Sequence, residues 1–164
     1  MWSRLVLMSW LILGAAGCCS APYKLEDMRS ASLRTPYNTV DYFRAAVRLG
    51  DWEAVYGMLS PESKAYVDRE VGRWAFETFA AGLKYKRLDR KAPPEVAELT
   101  VAELIHRSEI VAIRPDDLRS DLWWIQLYYK PIPPDKTRFK LINVARSGEQ
   151  SRWTVGLLES LNGN

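Results

Sequence analysis

The chain has one histidine, His106, and acid–base chemistry would begin there, since an imidazole titrates near neutral pH and can serve as a general base. It falls at the end of a short predicted helix that opens at Thr100-Val-Ala-Glu103. A cation is favoured at that end by the helix dipole alone, so the position asks for no reaction. Zinc fits poorly, because one histidine and no cysteine beyond Cys18 and Cys19 cannot supply three or four ligands. Asp116, Asp117 and Asp121 cluster in RPDDLRSD, but without the alternating oxygen ligands and glycine of a calcium loop they read as a turn. There is no Gly-x-Ser-x-Gly elbow, Cys-His pair or Gly-rich phosphate loop, which removes the usual routes to hydrolysis and nucleotide chemistry. The sequence thus names no catalytic residue, no metal and no cofactor, and leans away from an enzyme.

What stands out instead is aromatic. DLWWIQLYYK, read as a strand, alternates Trp123, Ile125, Leu127 and Tyr129 on one face with Trp124, Gln126 and Tyr128 on the other. The first face suits a core. The second is too apolar for open water and carries polar tips, which makes Trp124, Gln126 and Tyr128, with Asn143 of a later strand, the candidate binding face. The same pattern also fits a strand covered on both sides by its own domain.

The remaining reactive side chains are Cys18 and Cys19, at the end of the run LILGAAGCCSAP. One charge, Arg4, precedes the uncharged stretch Leu5 to Gly17, the shape of a secretory signal and too short for the roughly 20 apolar residues that span a bilayer. Ala15-Ala16-Gly17-Cys18 resembles the lipobox of bacterial lipoproteins, in which small residues precede a cysteine that is diacylated. That resemblance implies loss of residues 1–17 and a lipid anchor on Cys18, whose thiol is nucleophilic enough to accept the diacylglycerol. Each buried methylene adds about 0.8 kcal/mol, so two or three chains hold where one would not. The same residues also admit cleavage after Ala16 by the ordinary signal peptidase, or a buried apolar segment. A lipoprotein of this kind is extracytoplasmic, and Cys19, which is not the aspartate of an inner-membrane retention signal, favours the outer membrane. Expected partners are the membrane through Cys18 and an envelope protein or apolar small molecule; a net charge of +3 gives no reason to expect nucleic acid.

The elements that must position these residues are read from caps and periods. With 48% hydrophobic and 26% charged residues the chain can bury one ordinary core. Residues 18–34 are mixed polar and read as a tether, and the domain is predicted over 35–164. Thr35-Pro36 starts a helix with Val40, Phe43 and Val47 inward, Gly50 closes it, and Asp51 caps a second with Trp52, Val55 and Leu59. Ser60-Pro61 opens a third, predicted to run to Gly82 with Val67, Val71, Trp74 and Thr78 on its core stripe and Phe79 beside it. The basic run KYKRLDRK, Lys84 to Lys91, could lean on an anionic membrane but reads better as a solvated loop or strand face. After Thr100 the period changes to β-rich runs at Ile110 to Arg114, Leu122 to Lys130, Phe139 to Arg146 and Trp153 to Leu158. Helices followed by an antiparallel meander make an α+β domain.

The segment Thr35 to Val67 resembles the opening of nuclear transport factor 2-like, or cystatin-like cone, domains. The likeness rests on Phe43, Ala46, Gly50, Asp51, Trp52, Tyr56, Leu59, Ser60 and Pro61, followed by the later strands. It implies N-terminal helices packed against a curved four-stranded antiparallel sheet around a cone-shaped cavity. Members use that cavity as an active site or for a ligand or partner, so the fold does not fix the function. Together these expectations describe a lipid-anchored, non-catalytic ligand- or protein-binding module of the envelope. The alternative is an isomerase- or dehydratase-like enzyme with an acid or histidine and tyrosines inside the cone.

Overall fold

The fold begins at caps that the sequence writes out. The computed structural model describes residues 33–130, 138–144 and 152–157, the stretch 138–144 as backbone, so Cys18, Cys19 and the segment expected to be a secretory signal lie outside the described residues. Thr35 sits in extended backbone and its hydroxyl accepts the Asn38 N–H at 3.2 Å, with Pro36 at the first helical position of α1 (Pro36–Leu49). Gly50 ends α1 at φ 67°, a left-handed conformation that lets its N–H reach back to the Ala46 and Val47 carbonyls. Asp51 then caps α2 (Trp52–Gly57) through Ala54 N–H at 2.9 Å, and Ser60 caps α3 (Pro61–Tyr66) through Ser63 N–H at 3.1 Å. Val40, Phe43, Ala46 and Val47 put one stripe of α1 into the core, where Ala54, Val55, Met58 and Leu59 meet it.

The third helix departs from the expectation. A π-helical turn, Val67–Val71, extends α3, and Gly72 breaks the helix at φ 80°; a 3-10 turn, Arg73–Ala75, then leads into α4 (Phe76–Gly82). The π-turn inserts a residue into the helical count and rotates the chain beyond it. Trp74 and Thr78, predicted for the core, are thrown to the outside, and Phe76 takes the inward position. Trp74 is 91% exposed, while Val67 is fully buried and Val71 half-buried.

Beyond α4 the basic run forms a 3-10 turn, Tyr85–Arg87, anchored by buried Tyr85 and Leu88, and its cations engage locally. Lys84 Nζ donates to the Glu98 carbonyl and Lys86 pairs with the Glu98 carboxylate, both at 2.6 Å. After a short α5 (Pro94–Ala97), the Thr100/Glu103 capping box opens α6 (Val101–Arg107) as expected, with each partner's backbone N–H donating to the other's side chain.

The strands β1 (Glu109–Pro115), β2 (Leu122–Tyr128), β3 (Arg138–Val144) and β4 (Arg152–Val155) pair antiparallel in sequence order. A bulge between Ile110 and Ala112 shifts the β1 register and leaves Val111 exposed. Ile113, Ile125, Leu127 and Val155 turn to the helices, and Trp123 and Tyr129 pack beside them, so mixed helix and antiparallel strand, the α+β class, is what the chain forms. Helices and sheet meet at β4. Its edge pairs in parallel with the α2–α3 junction, Val155 N–H donating to the Met58 carbonyl at 2.8 Å and Ser60 N–H to the Val155 carbonyl at 3.0 Å. Trp153 N–H donates to the Leu33 carbonyl at 2.7 Å, so folded structure is present already at Leu33, ahead of the predicted boundary at Thr35.

Gly72 is under two constraints at once. Its positive φ disfavours any side chain, and a Cβ there would stand 2.8 Å from Trp74 Nε1. Gly72→Ala should therefore lower stability by about 1–3 kcal/mol, the usual cost of a non-glycine residue held in such backbone. Thermal melts check the loss, and a changed Trp74 emission spectrum reports the displaced ring.

Candidate functional site

Three of the four sequence-derived binding-face residues come together and one does not. Trp124 and Gln126 are half-buried and Tyr128 is 38% exposed, on the face of β2 away from the helices. Their cross-strand partners on β1 are Arg114, Ala112 and Glu109. Asn143 occupies a register position on the opposite face: it pairs with Trp153 and lies two residues from Leu141, which pairs with both Trp123 and Val155. A one-residue offset decides the face, and the sequence alone carried no register for β3. The outer face is also closed at one end, where the Leu122, Ile142 and Thr154 row runs across the sheet and Leu122 and Thr154 are only 5% and 3% exposed.

The acidic turn serves this face. Asp116 Oδ2 accepts the Trp124 indole N–H at 2.7 Å, and Asp116 Oδ1 accepts the N–H groups of Leu118 and Arg119 at 2.9 and 3.1 Å. The indole hydrogen bond, and after it the Leu118 N–H, holds the Asp116 carboxyl below the usual aspartate range. Asp121 pairs with Arg119, and no group of histidine, cysteine and carboxylates suited to a metal ion occurs among the described residues. His106 is exposed on the last turn of α6.

Among the described residues, the helices and the sheet surround a void of about 30 Å³ lined by apolar side chains, including Phe43, Val55, Phe76, Ile105 and Val155. That volume is about one water's worth, far below the roughly 300–1,000 Å³ of a small-molecule site, and it has no polar partner for a water.

The polar concavity lies outside, where no motif or spacing announced it. A groove of about 550 Å³ opens beside α2, lined by Glu53, Tyr56, Lys64, Arg73 and Arg152 and floored by Met58, with Leu33 at its rim. Several elements build it: α1 brings Tyr42, α2 brings Glu53 and Tyr56, α3 brings Lys64, the 3-10 turn brings Arg73, and β4 brings Arg152. The Gly57 carbonyl at the end of α2 accepts from both Lys64 Nζ and an Arg152 guanidinium nitrogen, each at 2.8 Å. The Tyr56 ring lies under the Arg73 guanidinium at 4.9 Å and the Lys64 ammonium at 5.7 Å, with Phe76 edge-on at 5.3 Å. Its hydroxyl donates to Asp68 at 2.7 Å; burial and then this bond push the phenol's pKa up, so it stays a donor. A second hollow of about 190 Å³ shares Glu53, Tyr56 and Arg73 with the groove and continues it past Trp52 and Trp74. Trp52 packs against the core as its helical spacing indicated, whereas Trp74, assigned to the core in the same way, is exposed, and only a glycine inside the helical pattern hinted that the count would break there.

No protein-family model matches the chain, and no curated protein or solved structure is significantly similar to it.

The bond between Trp124 and Asp116 can be read by acid titration. The folded-state pKa of Asp116 is depressed, so its contribution to stability is present above the usual aspartate range and lost as pH falls through the lowered value. Trp124→Phe keeps the ring and deletes the N–H. Carbon NMR of the Asp116 carboxyl should find it titrating nearer the usual range in that variant, with acid unfolding beginning at higher pH than in the parent.

Proposed function

We propose that the chain is a non-catalytic binding module of the cell envelope, held to a membrane by a diacylated Cys18 and presenting its ligand or partner site on the outer surface of the domain. The carrying observation is where polarity sits: among the described residues the internal void of about 30 Å³ has an apolar lining, while the cation-lined concavity of about 550 Å³ is external. Isomerase-like chemistry in a cone would need an acid or histidine facing an internal cavity, and no described acid or histidine lines this one. The closed, four-stranded cone belongs to the same proposal, with the antiparallel pairings and the β4 seam in support. Among the described residues no helix is long and apolar enough to cross a membrane, which is compatible with attachment through lipid. Residence on the extracytoplasmic side, in the outer membrane where there are two, rests on the lipobox-like sequence and Cys19.

Growth with labelled palmitate tests the anchor. The parent chain should incorporate label and fractionate with membranes, whereas Cys18→Ala should take up none and either accumulate as precursor or leave the membrane. A labelled, membrane-bound Cys18→Ala protein would defeat the lipoprotein reading.

A further inference from the structure

We propose that the groove between α2, α3 and β4 docks an acidic peptide segment of a partner protein, with its carboxylates against Arg73, Lys64 and Arg152 and a neighbouring apolar side chain against Trp74. This rests on the binding-module reading and names the partner's chemistry. Across the groove and the hollow that continues it, three cationic side chains stand against two carboxylates, Glu53 and Glu77. The Arg73–Glu53 pair is 3.3 Å long and both side chains are mostly exposed, 65% and 80%, so it is the weak kind of ion pair that an incoming carboxylate can replace. Stacking on Tyr56 holds the Arg73 guanidinium in place meanwhile, and a fixed guanidinium loses less freedom on binding.

Trp74 adds an aromatic anchor beside these charges. A tryptophan 91% exposed contributes little to the core, yet Gly72 and the π-turn fix where it stands, at the end of the hollow that continues the groove. Tryptophan, tyrosine and arginine are the residue types that dominate binding energy at protein contacts, and here Trp74, Tyr56 and Arg73 line one hollow.

The local charges favour carboxylates over phosphate. The groove holds the C-terminal end of α2, with the Gly57 carbonyl between Lys64 and Arg152. That end carries partial negative charge, and Glu53 and Glu77 stand along the hollow, which penalises a compact dianion more than single carboxylates spread along a peptide. The same acids oppose an anionic lipid surface.

The test uses the full-length chain in neutral detergent micelles, with micelles alone as blank, and follows anisotropy of a fluorescein-labelled Glu-Leu-Glu-Leu-Glu-Leu peptide. Binding should be saturable, about tenfold or more weaker for the Gln-Leu analogue, and weaker in 0.5 M salt, since exposed charges are screened within a few ångströms there. Arg73→Glu should weaken it about tenfold or more, and Trp74→Ala should weaken it several-fold with an unchanged melting temperature, because the ring is exposed. Equal binding of the Gln peptide, or indifference to Arg73→Glu, overturns the proposal. So does Arg73-dependent binding of inorganic phosphate or phosphatidylglycerol vesicles in place of the peptide. A photo-crosslinker at position 74 separates the two levels of failure: without peptide binding, an Arg73-dependent envelope adduct overturns the acidic partner alone, whereas its absence defeats the binding-module reading as well.

Discussion

Three backbone hydrogen bonds along β4 hold the helical layer and the sheet in one arrangement. Val155 bridges the α2–α3 junction in parallel, its N–H donating to the Met58 carbonyl and its carbonyl accepting from the Ser60 N–H, and the Trp153 N–H donates to the Leu33 carbonyl. A four-residue strand between β3 and two pieces of helical chain has no free edge along that stretch, and its buried amides are paired. The apolar floor depends on the seam, because Met58, Leu59 and Val155 are all nearly fully buried where it runs. The groove depends on it too, since the seam sets Gly57 and Lys64 opposite Arg152 and brings Leu33 to the rim. The packed floor and the external groove are thus two sides of one backbone junction.

Interior and exterior divide the labour between apolar and charged residues. Among the described residues, apolar side chains from α1, α2, α4, α6 and β4 line the internal void. The cations are held at the surface by a carbonyl, an aromatic ring and one weak carboxylate.

Local signals were legible in the sequence and long-range ones were not. The caps at Thr35, Asp51, Ser60 and Thr100 were readable because each is made within a few residues, by a side chain returning to its own first turn. The alternation in β2 was readable for the same reason, and Ile125 and Leu127 turned inward as expected. The break at Gly72 was not, since a glycine inside a helical period costs only about 1 kcal/mol and does not by itself announce a stop. Placing Asn143 required the register of β3 against two neighbours, which a single strand does not contain. The groove draws on residues as far apart as Glu53 and Arg152, and no spacing rule joins them.

The bulge in β1 acquires meaning from the seam at the far side of the sheet. β4 is sealed by the chain itself, which leaves β1 as the strand whose outer backbone could recruit a neighbour. There the pairing is interrupted at Val111, charged Glu109 and Arg114 stand along the strand, and Pro115 ends it without an N–H to give. Each of these makes a continuous ladder with a second copy harder to build. Wherever copies of this chain meet at high local density, such an interrupted border keeps crowding from becoming polymerisation.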